Sequence, residues 1–231
     1  MSIAENIARV RANIAAAARE AGREASEVTL VGASKMNDAE ACRAAIAAGI
    51  DALGENREQE MTKKLAEHAY DGAPLHFIGH LQRNKVKNVV GKVALLESVG
   101  SLELLAAVNK QAEKLQIVQD ILLEVNIGGE EAKSGFAPEA LLQAAQEAKK
   151  CENVRVRGLM CIPPVAEGEH GSLPYFEKVH ALFVDINAKL YDNTLDILSM
   201  GMSGDYEDAV RAGATMVRVG TAIFGARNYT N

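Results

Sequence analysis

Val28-Thr29-Leu30-Val31-Gly32-Ala33-Ser34-Lys35 is the stretch that decides the fold. A short apolar run rich in β-branched residues that stops at a lysine reads as a buried strand with a charged residue at its exit. Runs of the same kind recur at Ala52 to Gly54, Leu75 to Gly79, Ala94 to Val99, Asp120 to Asn126, Val154 to Met160, Asp196 to Met200 and Met216 to Val219. Between them lie helical patterns: Asp38 to Ala48, with Asn37 and Glu40 placed as a cap, then Arg57 to His68, Asn84 to Val90, Leu102 to Leu115, Pro138 to Lys149, Leu173 to Leu190 and Tyr206 to Ala212. Eight buried strands alternating with helices over short loops predict an α/β chain folded as a single (β/α)₈ TIM barrel.

Ahead of the first strand, Ile3, Ile7, Val10, Ile14, Ala17 and Ala21 form one helical stripe, Ser2 and Glu5 make a capping box, and Gly22 is a natural stop. This extra N-terminal helix is expected to take the place of the eighth barrel helix, because little chain follows the last strand. An open doubly wound sheet also alternates strand and helix, but the turn after the first strand lacks the G-x-G-x-x-G pattern usual there.

The 231 residues, 48% of them hydrophobic, fit one barrel and one domain spanning 1–231. A formal charge of −6 gives no sign of a nucleic-acid or membrane-surface binder. Cys42, Cys151 and Cys161 are an odd number without a C-x-x-C pair, which fits a reducing compartment. No membrane-length apolar run or signal-peptide pattern is present, so a cytoplasmic protein is expected.

In a barrel, functional residues gather where the strands end. The strand ends supply Lys35, Glu55, Asn56, His80, Ser98, Asn126, Met160, Ser199 to Ser203, and Arg218 to Thr221. Lys35 is anchored by an apolar strand with its amine toward the mouth, where partial desolvation lowers a lysine pKa and leaves a nucleophile for an aldehyde. Position alone accommodates a solvated loop lysine equally well. The last two strand ends break the tie: Gly201, Gly204 and Gly220 allow close backbone approach, and Ser199, Ser203 and Thr221 offer hydroxyls, where barrels often hold phosphate. A reactive lysine facing a phosphate cup describes a pyridoxal phosphate (PLP) pocket. A Schiff-base aldolase is the chemical rival, for which Glu55 is the one acidic strand-end residue before Asp205.

Other motifs carry less. His76 and His80 have H-x₃-H spacing on a strand and its exit, which is poor geometry for one shared metal. Gly201-Met202-Ser203-Gly204-Asp205 misses a nucleophile elbow at its fifth position. Arg83, Lys85, Lys87 and Lys92 read as a solvated helix face, and Met160, Met200 and Met202 as packing around the mouth.

Several blocks resemble signatures of the pyridoxal phosphate homeostasis proteins: Leu30 to Lys35, Gly54-Glu55-Asn56-Arg57, His76 to Lys85, Lys133-Ser134-Gly135-Phe136, Leu198 to Ser203 and Val217 to Thr221. The resemblance runs from about residue 3 to residue 227. It implies a fold-type-III PLP barrel similar to the N-terminal domain of alanine racemase, with PLP held as a covalent aldimine on Lys35. Ser199, Ser203, Gly220 and Thr221 would hold phosphate, with Met200 in the same cofactor-binding set. Arg218 would bond the pyridine nitrogen or else contact the phosphate, and Asn56 and His80 would line the ring and its mouth. Met36-Asn37-Asp38 stands where the family often has a second lysine and a proline.

The implied function is a carrier and regulator in PLP homeostasis that delivers the cofactor to apo-enzymes, with indirect effects on amino-acid and vitamin B6 metabolism and with no catalytic residue and no metal. Apo-enzymes or PLP-synthesising enzymes would be its partners, and a monomer is expected. The alternative is a minimal fold-type-III enzyme, an amino-acid racemase. Racemases of this type complete their site with a second domain, and the expectation here is that the barrel uses nearly the whole chain. Lys133, in the loop after the fifth strand, is a candidate second amine for cofactor release, although a solvated lysine explains that position too.

Overall fold

The computed structural model describes residues 1–130 and 134–225. Eight parallel strands close into a barrel in sequence order, β1 through β8. They are β1 (Thr29–Ala33), β2 (Ala52–Glu55), β3 (Leu75–Phe77), β4 (Leu95–Val99), β5 (Gln119–Val125), β6 (Val154–Cys161), β7 (Ile197–Ser199) and β8 (Met216–Val219). The helices are α1 (Ile3–Glu20), α2 (Ala39–Ala47), α3 (Glu58–Ala66), α4 (Leu102–Leu115), α5 (Leu141–Lys149), α6 (Leu173–Leu190), α7 (Tyr206–Arg211) and a single turn, α8 (Thr221–Phe224).

Strand alternation sorts the side chains into two apolar layers. Leu30, Leu53, Phe77, Leu96, Leu123, Leu159, Leu198 and Val217 pack outward in one large core shared with the helices. Val31, Ala52, Leu95, Leu122, Met160 and Met216 form a separate inner plug. The inward positions His76, Glu97, Glu124, Ser199 and Arg218 are instead polar or charged and buried. A dry plug with a polar layer is how a barrel presents chemistry at one end.

Gly158 shows how tightly the wall closes. The β5–β6 register slips between Ile121 and Leu122, and a Cβ on Gly158 would sit 1.7 Å from the Ile197 carbonyl oxygen. Only glycine fits this bulge.

The expected capping box starts α1: Ser2 Oγ accepts from the Glu5 amide and Glu5 Oε2 from the Ser2 amide. Its buried face of Ile7, Val10, Ile14 and Ala17 packs among α2, α7 and α8, so α1 does occupy the eighth helix's place. Asn6 Nδ2 ties it to the Ile223 carbonyl at 2.8 Å.

Two local expectations are corrected. The cap of α2 is Asp38, which accepts from the Ala41 amide at 2.8 Å, while Asn37 Nδ2 turns back to donate to the Lys35 carbonyl. Met36 adopts φ +63°, and this left-handed residue shifts the helix start by one position. The helix expected over Asn84 to Val90 is a 3₁₀ segment, Arg83–Asn88, because Val86, Val89 and Val90 turn into the core within a stretch too short for α-helix.

Candidate functional site

Lys35 leaves β1 at the barrel mouth, and the chain around it is braced from outside the sheet. Glu55 at the end of β2 is fully buried, and its Oε1 accepts from Ser34 Oγ at 2.7 Å, Lys64 Nζ at 2.7 Å and Tyr70 OH at 3.0 Å. Lys64, on α3, also donates to the Ser34 carbonyl at 2.8 Å and pairs with Glu60 at 2.8 Å. Glu60 in turn accepts from the amide of Met36. Backbone groups on both sides of Lys35 are therefore fixed by one charged cluster. Burial alone would lower the Lys64 pKa, but Glu55 and Glu60 outweigh it and hold the amine charged above its ordinary value.

Inside the barrel a second chain of polar groups crosses the floor of the mouth. Arg218 on β8 is 3% exposed and donates to Ser199 Oγ at 2.6 Å and to the Cys161 carbonyl at 2.9 Å. The Ser199 hydroxyl donates to Glu97 Oε2 at 2.6 Å, and His76 Nδ1 meets Glu97 Oε1 at 2.8 Å. Burial pushes the Glu97 carboxyl up, yet bonding and charge from His76, with Arg218 and Ser199, carry it below the usual carboxylate value. The guanidinium is thus held in place with a paired counter-charge.

The loop after β7 and the start of α8 meet through Ser203. Its Oγ accepts from the amides of Gly220 at 3.1 Å and Ala222 at 3.3 Å. These are amides of the kind that an anion's oxygens recruit. Beside them a cavity of about 280 Å³ is lined by Lys35, Met36, Asn37, Gly220, Thr221 and Phe224. Lys35, Gly220 and Thr221 thus line one space, a residue set suited to an aldehyde carrying a phosphate.

A second cavity, of about 480 Å³, opens on the other side of the mouth between Asn56, Gly79, His80, Glu124, Ser134 and Ile162. Gly79 makes the close approach possible there, since a Cβ would lie 2.3 Å from the Asn56 carbonyl oxygen. Glu124 is 7% exposed and receives Ser134 Oγ at 3.0 and 2.9 Å on its two oxygens. Burial raises its pKa, and Ser134, His80 and Arg218 offset only part of that rise.

The sequence profile described as "Alanine racemase, N-terminal domain" matches residues 6–228. The pyridoxal phosphate homeostasis protein of Aquifex aeolicus is 43% identical over 229 residues, covering 99% of this chain and all of that one. The protein of the same name from Escherichia coli K12 is 38% identical over 232 residues, covering 99% of this chain and 98% of that one. The chain belongs to the pyridoxal phosphate homeostasis protein family.

Solved structures agree with that membership. The PipY protein of Synechococcus elongatus with PLP bound superimposes with a TM-score of 0.84 at 30% identity, over 97% of this chain and all of that one. Alanine racemase of Clostridium difficile shares the fold alone, with a TM-score of 0.72 at 18% identity over 99% of this chain and 58% of that one.

Within this family member, the structure brings Lys35, Ser203, Gly220 and Thr221 to one side of the mouth and Asn56 and His80 to the other. Ser199 lies on the inner wall with its hydroxyl engaged by Arg218 and Glu97. Met200 lies away from the mouth: its side chain belongs to the core shared with the helices, and its amide donates to the Met216 carbonyl. Alternation forces this, since Ser199 points inward. Met160 is in the inner plug, and Met202 is exposed.

Glu55 is not the one acidic strand-end group. It faces outward, whereas Glu97 and Glu124 face the barrel interior, and neither was singled out from sequence. Lys64 was missed as well. His76 bonds Glu97, and no group of three or more metal-ligating side chains occurs among the described residues. Lys85 of the basic cluster pairs with Glu58 at 2.6 Å. Lys133 lies outside the described residues. No described helix is long and apolar enough to cross a membrane.

Proposed function

We propose that this chain, acting as one PLP-binding domain, holds PLP covalently at Lys35, keeps the reactive aldehyde sequestered and delivers it to apo-enzymes. The single observation that carries this reading is the convergence of Lys35 with Gly220 and Thr221 on one cavity, with Ser203 joining the loop after β7 to the same amides. PLP homeostasis relatives that match over nearly their whole length support it.

In this reading Ser203, Gly220 and Thr221 take the phosphate, while Asn56 and His80 line the ring. Ser199 acts through Arg218, because its hydroxyl bonds the guanidinium. When bound, PLP supplies an aldehyde carbon for exchange between amines and a conjugated ring as electron sink. If Arg218 faced the pyridine nitrogen, its fixed positive charge would disfavour protonation there and weaken that sink. Holding and handing over the cofactor suits such a site better than carbanion chemistry. A monomeric, cytoplasmic, non-catalytic carrier is part of the same proposal.

The test is cofactor loading run beside transfer. The purified chain is expected to turn yellow with PLP and to activate an apo-PLP enzyme, and Lys35→Ala to lose both. Equal loading and transfer by Lys35→Ala would contradict the reading. Amino-acid turnover abolished by Lys35→Ala would favour the racemase instead.

A further inference from the structure

The cavity between Asn56, His80 and Glu124 contains more acceptor capacity than the described residues use. Asn56 Oδ1 is buried with no hydrogen-bond partner among the described residues. The Glu124 carboxylate has about four lone-pair directions and, among the described residues, receives one hydroxyl, from Ser134. Both groups line the same space of about 480 Å³. A buried acceptor left unpaired costs free energy, so the unpaired Asn56 Oδ1 together with the spare lone pairs of the Glu124 carboxylate fits a ligand that donates several hydrogen bonds and carries positive charge. A primary ammonium has three donors and no acceptor.

The location matters as much as the chemistry. β5, which carries Glu124, lies four strands from β1 in the closed order, so Glu124 and Lys35 bound the mouth from opposite sides. Asn56, at the end of β2, stands next to the strand that carries Lys35. Among the described residues, the charged or titratable groups that act on Glu124 are His80 after β3, Arg218 on β8 and Cys161 on the adjacent β6, while Glu97 on the adjacent β4 is engaged by His76 and Arg218.

Resting on the carrier reading above, we propose that this cavity binds the primary ammonium group of the amine that takes the cofactor from Lys35, and that Glu124 accepts its proton. The incoming R–NH₃⁺ gives one proton to the Glu124 carboxylate. The R–NH₂ lone pair then forms a bond to the aldehyde-derived carbon as the π pair of its double bond to Lys35 moves onto Nζ. A proton passes from the incoming nitrogen to Nζ, the remaining carbon–Nζ bond breaks with its electron pair going to Nζ while the new carbon–nitrogen double bond forms, and the proton held by Glu124 returns to the released Lys35 amine. Nothing is oxidised or reduced. Release thereby depends on an amine that binds, and the carrier keeps its cargo from water.

Two probes separate the sources of such an ammonium: glycine for a free amino acid, and Nα-acetyl-lysine for a protein side chain. Loss of visible absorbance from the PLP-loaded protein is followed against amine concentration at several pH values. The wild-type rate is expected to saturate with at least one probe, and the one that saturates at lower concentration names the source. Glu124→Gln should release about 10²-fold more slowly near neutral pH, with the deficit shrinking as rising pH supplies the neutral amine directly. In the apoprotein, methylammonium should lower the titration midpoint of the Glu124 carboxyl carbon, measured by NMR. Superimposable wild-type and Glu124→Gln curves with both probes, or a deficit that does not change with pH, would overturn the proposal. Failure of borohydride to mark Lys35 in the wild type would contradict the carrier reading instead, so the two failures are told apart.

Discussion

Glu97 and Glu124 sit on neighbouring strands, face the same barrel interior and are both buried, yet their pKa values move in opposite directions. Burial pushes each up. Glu97 is met by His76, Ser199 and, at 3.9 Å, Arg218, and these bring it below the ordinary value. Among the described residues Glu124 has one hydroxyl and more distant positive charge, and burial wins. Partners, and not depth, decide which carboxyl is a fixed counter-ion and which is ready to exchange a proton. Pairs of titratable groups pushed apart in this way mark acid–base assignments.

The largest effect is expected at Glu97. Glu97→Gln strips the counter-charge from buried Arg218 and should cost about 3–5 kcal/mol at neutral pH, read by urea unfolding. Because the folded pKa of Glu97 lies below its ordinary 4.5, its contribution is fully present above that value and is lost as pH falls through the folded pKa. The variant should therefore show a flatter acid limb of stability against pH than the wild type. A loss below about 1 kcal/mol would mean that the floor network does not depend on its charge.

Ser199→Ala comes next. It removes the link between Arg218 and Glu97, with an expected cost of about 1–3 kcal/mol. A freed guanidinium should also alter the visible absorbance of the PLP-loaded protein. An unchanged spectrum would separate Ser199 from the cofactor.

The smallest effect is expected at Glu124, with the opposite sign. Its raised pKa makes the carboxylate a penalty that is fully present above the folded pKa and relieved as pH falls toward the ordinary value. Glu124→Gln should leave stability unchanged or raise it by up to about 1 kcal/mol at neutral pH. A destabilisation comparable to that of Glu97→Gln would erase the distinction between the two carboxyls.

The barrel was legible because buried parallel strands are written as continuous apolar runs, and all eight expected runs coincide with strands. Lys35 and Arg218 were legible because they end or interrupt such runs. Glu97 within Leu95-Leu96-Glu97-Ser98-Val99 and Glu124 within Ile121-Leu122-Leu123-Glu124-Val125 carried the same signal, a carboxyl inside an apolar strand. Strand periodicity would have placed them inward. Lys64 could not be found this way. It follows Lys63 on α3, and only the tertiary fold makes one side chain 78% exposed and the other 5%.

The central claim is that Lys35 is the residue that holds the cofactor. Borohydride reduction of the PLP-loaded protein followed by peptide mapping tests it most directly. A pyridoxyl group on Lys35, absent from Lys35→Ala, is the predicted result; an adduct found on other lysines with Lys35 unmodified would contradict it.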